Sequence, residues 1–380
     1  MKALVIGGTG PTGPYTVNGL LQRGYEVTIL HGGQHEVEFM QPVEHIHTDP
    51  HFAETLAPAL AGRTFDLVLA TYGRMRIIAN LLKGKTGRFI GVGGSRVYAL
   101  RSDPRWGPLG QPMQVPEDSP RCDDPAGPKF NHLMWVTEEA VMQAHREGHY
   151  NATVFRYPLL YGPHSPGNPD WSIVRRVLDG RKHIVIAANG LLRRRGYARN
   201  TAHALLLAVD KPVESAGQIY NIRDEAQYTQ RQHAEFIVRH LRRDQREQPD
   251  CEIFEAPPAL AHRVYKGGAA ELPAGVIEFD ISKIKAQLGY KDIVTPAQGL
   301  AESVDWLVAN RPPPGGEVER QCGDPFAYAA EDALIAACKG GYAGAAAVSF
   351  PDMQLGHMYR HPKKPGEAWA PPKDQTPQAH

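Results

Sequence analysis

A glycine-spaced turn near the start of the chain limits its fold more than any other feature. Gly7-Gly8-Thr9-Gly10-Pro11-Thr12-Gly13 follows directly on the apolar run Ala3 to Ile6. It opens the stretch Tyr15 to Arg23, which carries Val17, Leu20 and Leu21 at helical spacing. A short run without polar residues suits a parallel strand covered on both faces. Gly10 lets backbone approach a pyrophosphate, and Gly13 lets the helix pack close on the sheet. The helix N-terminus then turns unsatisfied N–H groups and the positive end of its dipole toward phosphate oxygens. A tight turn without a ligand is the competing reading, and the strand-turn-helix context disfavours it.

The alternation continues beyond the turn. Strands are expected at Glu26 to Leu30, Glu44 to His47, Phe65 to Ala70 and Arg88 to Val92, with helices at Phe52 to Ala61 and Met75 to Leu82. This pattern implies an α/β fold, a Rossmann-type doubly wound parallel sheet with its ligand crevice at the strand C-terminal ends. Arg101 to Lys129, rich in Pro, Gly and Asp, reads as a surface excursion in which Glu117 and Asp118 are exposed. A helix at Asn131 to His145 and a strand at Thr153 to Arg156 follow. Later segments (Ser172 to Leu178, His183 to Ile186, Ala202 to Val209, Gln218 to Ile222, Gln230 to Leu241) read as a smaller substrate-side region. The expected organisation is a dinucleotide-binding domain over 1–165, a substrate-side region over 166–310 interleaved with it, and a C-terminal arm over 311–380. Pro312, Pro313 and Pro314 open that arm, which holds a helix at Tyr328 to Cys338. The arm reads as a surface extension with a frayed tip. A sharper reading has it cover the active site or a second subunit, with His357, Tyr359, Arg360 and His361 as its useful residues.

Composition narrows the partners. A formal net charge of +1 asks for neither nucleic acid nor an anionic membrane. Cys122, Cys251, Cys322 and Cys338 have no paired spacing, so neither a disulfide framework nor a metal site is expected, in keeping with a cytoplasmic setting. No apolar run approaches the ~20 residues of a membrane span, and the immediate strand leaves no leader in the reading.

The second strand ends in His31-Gly32-Gly33, where an acidic residue would hold the ribose 2′-hydroxyl of NAD and an arginine would accept the 2′-phosphate of NADP. Neither stands there. Without a repelling carboxylate, and with backbone N–H groups at Gly32 and Gly33, NADP is favoured slightly over NAD.

Taken together, the chain resembles the extended and atypical short-chain dehydrogenase/reductases, the NAD-dependent epimerase/dehydratase family, over roughly Met1 to Arg311. Gly7, Gly10 and Gly13 match that family's Gly-x-x-Gly-x-x-Gly turn. The resemblance implies that Asp49 approaches the adenine and that Thr71, Tyr72 and Gly73 pass beside the ribose. It places Tyr157 and Pro158 in the segment Arg156 to Pro163 beside the nicotinamide, and Gly217 to Ile222 in a late substrate-domain strand. It also implies a homodimer paired through helices flanking the catalytic helix.

The catalytic positions depart from the pattern. Where the family carries Ser-Ser-x-x-Val-Tyr, this chain reads Gly93-Gly94-Ser95-Arg96-Val97-Tyr98, so the expected serine is Gly94. Anchored on Glu138-Glu139-Ala140-Val141, the tyrosine and lysine of the Tyr-x-x-x-Lys pair fall on Phe130 and Met134, which cannot exchange protons. A substitute relay is worth roughly 10²–10⁴ in rate. Its candidates are Tyr98, Ser95, His132 and Lys129, with Tyr72, Tyr161 and His164 on other crevice loops. The imidazole of His132, with an ordinary pKa of ~6.5, suits proton transfer near neutrality. Tyr161, His164 and Arg195 are expected to face substrate, Arg195 as part of a basic cluster with Arg193, Arg194 and Arg199 that could anchor an anion. Trp106, Trp135 and Trp171 fit either a pocket for an aromatic substrate or ordinary packing.

The expected function is therefore an NAD(P)-dependent enzyme acting on a small organic substrate, aromatic or carbonyl-containing, by hydride transfer with a non-standard proton relay. Two other readings stay open: a non-redox lyase, hydratase or isomerase that retains the cofactor fold, and a cofactor-sensing binding protein.

Overall fold

A computed structural model describes residues 1–33, 35–99, 103–106, 113–166, 168–190, 192, 194–242, 251–264, 277–351, 362–365 and 367. Its first half is built from β1 (Lys2–Ile6), α1 (Gly13–Gln22), β2 (Glu26–His31), β3 (Glu44–His47), α2 (Ala53–Ala59) and β4 (Phe65–Ala70). Then come α3 (Met75–Leu81), β5 (Thr86–Gly94), β6 (Met113–Val115), α4 (Lys129–Arg146), β7 (Asn151–Tyr157) and β8 (Leu159–Tyr161). The later elements are α5 (Trp171–Leu178), β9 (His183–Ala187), β10 (Arg195–Tyr197), α6 (Ala198–Asp210), β11 (Gln218–Asn221), α7 (Gln230–Arg242) and β12 (Glu252–Ala256). After them follow α8 (Pro258–Val264), β13 (Ile277–Phe279), α9 (Ser282–Leu288), α10 (Pro296–Ala309), α11 (Glu317–Cys322) and α12 (Tyr328–Lys339).

Seven parallel strands form the central sheet in the order β11-β7-β5-β4-β1-β2-β3. Period-two alternation assigns each apolar side chain to one of two layers. Ala3, Val5, Ile29, Leu67 and Leu69 pack with Val17 and Leu20 of α1 and Leu205 of α6. Leu4, Ile6, Leu30, Val68 and Ala70 pack on the other face with Leu56, Ile78 and Val141 from α2, α3 and α4. Strand order reverses between β1 and β4, the switch point at which an open α/β sheet leaves a crevice. β11 comes from the later part of the chain yet completes the sheet beside β7, so the two parts share one core.

Small parallel pairs, β8 with β10 and β9 with β12, sit outside the main sheet. The strand expected to stop at Val92 runs on to Gly94. The excursion is not uniformly solvated: Glu117 is half-buried, and its Oε1 accepts from Asn221 N at 2.8 Å, which corrects the expectation of an exposed side chain.

The start of the C-terminal arm is part of the folded body. Arg176 of α5 is buried between two carboxylates, with Nη1 2.5 Å from Asp324 and a second contact to Glu331 of α12. Trp171 donates from Nε1 to Glu319 of α11 at 3.0 Å, which makes it a core residue rather than a pocket wall. Leu334 and Ile335 close over β9, β12 and α8. His357, Tyr359, Arg360 and His361 lie outside the described residues.

Candidate cofactor and reaction site

The turn after β1 has the shape that a pyrophosphate needs. A Cβ on Gly13 would stand 2.1 Å from the Gly8 carbonyl oxygen, so only glycine lets the start of α1 close on the turn. At Gly10 nothing lies within 4 Å of the same position, which leaves the outer side of the turn open. No side chain caps α1; the Gly13 N–H is taken by the Gly10 carbonyl at 2.9 Å, and Pro14 has none to offer. Across the switch point, Thr71 donates from its amide and its hydroxyl to the Ile6 carbonyl and locks the end of β4 to β1.

The other residues expected along the cofactor lie on the same sheet edge. His31 ends β2, and Asp49 follows β3. Thr71, Tyr72 and Gly73 follow β4, and Tyr157 and Pro158 close β7. Gly32 is open to solvent, and Gly33 donates its N–H to His31 Nδ1 at 3.3 Å. Asp49 is engaged locally: its Oδ1 accepts from the backbone and ring nitrogens of His51, at 2.9 and 2.7 Å. The His51 ring stands edge-on to Tyr72. Beside Gly73, Arg74 stacks on Phe52 and donates from Nη2 to the Pro362 carbonyl at 3.0 Å, which brings a piece of the C-terminal arm to the crevice rim.

At the far end of the crevice the altered catalytic positions meet. A Cβ on Gly94 would touch Met134 Cε at 3.4 Å, so the positions expected to hold a serine and a lysine face each other as glycine and thioether. Phe130, in the tyrosine position, is 47% exposed. Gly94, Phe130 and Met134 thus bring no proton-exchanging side chain to this place.

Tyr98 leaves the set of proton donors. It is buried and stacked on Phe279. Its hydroxyl donates to Asn221 Oδ1 at 2.7 Å and accepts from Arg156 Nη1 at 2.9 Å. Burial pushes its pKa up to about 12. Arg156 is itself held by Glu138 of α4, with Nε and Nη2 at 2.8 and 2.6 Å from the two carboxylate oxygens. This buried fork ties α4 to β7 and explains why Glu138 stands at the anchor of the helix. Burial also raises the pKa of Glu117 above the ordinary carboxylate value. Sequence reasoning missed Glu117 because only the fold brings it under Asn221.

His132 and Lys129 lie on the first turns of α4, with Lys129 exposed, and Ser95 begins the short helical turn after β5. His132 Nδ1 is 3.1 Å from the Cys122 carbonyl, and its ring stacks on Trp135. A carbonyl only accepts, so Nδ1 is the donor in this contact.

The expected substrate residues divide. His164 is exposed, with its ring centroid 5.3 Å from that of Trp306. Tyr161 and Arg195 are buried, and both line a small cavity with Asp224 and His233. Arg195 Nη1 pairs with Asp170 Oδ1 at 2.6 Å, and its guanidinium covers Tyr161, whose hydroxyl donates to Asp224 at 2.8 Å. The basic cluster does not form one patch: Arg194 is half-buried, Arg199 is exposed, and Arg193 lies outside the described residues. Finally, His31, His45, His47 and Glu36 converge at the ends of β2 and β3, a group that the reading without metal ligands did not contain.

Comparison with known proteins agrees with this arrangement. Residues 135–222 match the NAD dependent epimerase/dehydratase family. Over this stretch the chain is similar to that family. The match runs from within α4 through β11, the part that carries Glu138 and Arg156. A UDP-glucose 4-epimerase from Thermotoga maritima, solved with UDP-glucose, has the same fold at a TM-score of 0.63 and 18% identity, covering 82% of this chain and 99% of its own. A dTDP-glucose 4,6-dehydratase from Bacillus anthracis in complex with NAD gives 0.60 and 16%, covering 82% and 97%. An uncharacterized protein, y4nL of Sinorhizobium fredii, is 25% identical over 177 residues, which is 41% of this chain and 47% of that protein. The matched region thus spans about half the length of that relative. Among the described residues, no helix is long and apolar enough to cross a membrane.

Proposed function

We propose that this chain is an enzyme of the epimerase/dehydratase type that binds a nicotinamide dinucleotide across the C-terminal edge of the sheet and acts on a small carbonyl or alcohol. The observation that carries the reading is the turn itself, closed at Gly13, open at Gly10 and leading into an uncapped helix. Gly7 to Gly13 would hold the pyrophosphate, His31 to Gly33 the adenosine ribose, and Tyr157 with Pro158 the nicotinamide end. The bound nicotinamide supplies hydride chemistry. The slight preference for NADP rests on the missing carboxylate after β2 and on the open Gly32.

The protein's own part is orientation, exclusion of water and proton transfer. Phe130 and Met134 offer an apolar wall to the substrate. With its Nδ1 proton held by the Cys122 carbonyl, His132 is oriented as a base at Nε2, and the imidazolium formed there returns the proton. Lys129 and Ser95 are the further candidates to assist. The two glucose-nucleotide enzymes named above make a sugar ring one candidate substrate, and the apolar wall makes an aromatic carbonyl another.

The test follows nicotinamide absorbance with NAD(H) and NADP(H) across carbonyls, alcohols and nucleotide sugars, for the parent and His132→Gln. Turnover lowered roughly 10²–10⁴-fold in the variant is the expected result. Dinucleotide that binds and is never turned over, with nucleotide sugar still converted, would move the reading to a non-redox cycle.

A further inference from the structure

We infer that His31, His45, His47 and Glu36 form a binding site for a divalent transition-metal ion of the zinc class, independent of the reaction end of the crevice. The register of the sheet creates it. In the β2–β3 pair, His31 is opposite His47 and Ile29 is opposite His45, so all the imidazoles leave the same face of the sheet. The loop after β2 then folds back and brings Glu36 over them.

The donor atoms are spaced as a coordination shell. His31 Nε2 is 3.2 Å from His45 Nδ1, the Glu36 carboxylate is 3.2 Å from both His45 Nδ1 and His47 Nε2, and it is 3.9 Å from His31 Nε2. One ligand atom from each residue fits within a mutual span of 4.8 Å. Tetrahedral bonds of about 2.0–2.1 Å to nitrogen and oxygen place neighbouring donors roughly 3.3 Å apart. The rings are mutually inclined at 70°, 85° and 80°. Imidazole and carboxylate together suit zinc over the hard cations magnesium and calcium.

Charge gives a second argument. Without an ion, a single proton bridges His31 Nε2 and His45 Nδ1, and one carboxylate serves the remaining rings. A divalent ion takes the place of that bridging proton, which passes to His31 Nδ1, and each ring then coordinates as a neutral imidazole. His31 Nδ1 carries the ring proton in that state, so the long contact from Gly33 N is given up. The ion braces the loop after β2 against the strand ends, beside the stretch assigned to the adenosine ribose.

The experiment uses the full chain, dialysed against chelator and kept free of dinucleotide. Zinc is titrated by calorimetry and cobalt by visible absorption. One ion per chain, intense four-coordinate cobalt bands, and binding weakened at least tenfold in both His45→Gln and Glu36→Gln are the expected results. His47→Gln, at the most exposed of the imidazoles, serves if either variant fails to fold. Absence of cobalt bands, or zinc affinity that these substitutions leave unchanged, overturns the site. Because no dinucleotide is present, failure here leaves the cofactor reading standing, and failure of dinucleotide binding leaves this site standing.

Discussion

The two ends of the crevice are built on different principles. At the β1 end, function follows from backbone shape over seven consecutive residues, and the Gly13 approach to Gly8 fixes it locally. At the β5 end, the relevant surface is assembled from β5, α4, β7 and the excursion, through contacts between residues far apart in sequence. A local device is either intact or absent. An assembled one can keep its scaffold and exchange its chemistry, as Gly94, Phe130 and Met134 show.

Breaking the local end should have the largest effect. Gly13→Val forces its side chain into the Gly8 carbonyl, where overpacking costs about 1–3 kcal/mol or more. Dinucleotide affinity, followed by calorimetry, should fall on the order of 100-fold or vanish, and unchanged affinity would show that the turn is only architecture. At the assembled end, Glu138→Gln leaves the buried Arg156 guanidinium without its counter-charge. A loss of about 3–5 kcal/mol in urea unfolding is expected. Tyr98→Phe removes the hydroxyl shared by Asn221 and Arg156 and should cost about 1–3 kcal/mol of stability. Its kcat should change in proportion to folded protein only; a specific loss of turnover would return Tyr98 to the chemistry.

The smallest effect concerns pH. Burial raises the folded-state pKa of Glu117 above 4.5, so the folded chain holds its proton more tightly than the unfolded chain does. The associated stability is complete below about pH 4.5 and is lost as pH rises through the folded value. Glu117→Gln should flatten that part of the pH–stability curve. A curve with the same slope in the variant would assign the effect to another group.

The same contrast explains what was legible beforehand. The parallel sheet, its crevice edge and the glycine turn all depend on local pattern, and the sequence carries that pattern openly in Ala3 to Gly13. The altered serine and lysine positions could be placed by resemblance, yet only the fold sets Met134 against Gly94. Tyr98 looked like a donor because it follows a crevice strand, whereas its hydroxyl is committed by Asn221, which lies 123 residues away. Arg195, expected to face substrate from an arginine-rich run, is buried against Asp170. The histidine group escaped notice because no local spacing joins His31 and Glu36 to His45 and His47. Strand register and the folded-back loop do so, although the alternation in His45-Ile46-His47 was a visible hint.

The central claim is that the open glycine turn holds a nicotinamide dinucleotide. Native mass spectrometry of the full chain, alone and titrated with NAD(H) and NADP(H), tests it directly. One dinucleotide bound per chain, abolished by Gly13→Val, is the predicted result. Binding of neither dinucleotide by the folded parent would contradict the claim and remove the redox reading with it.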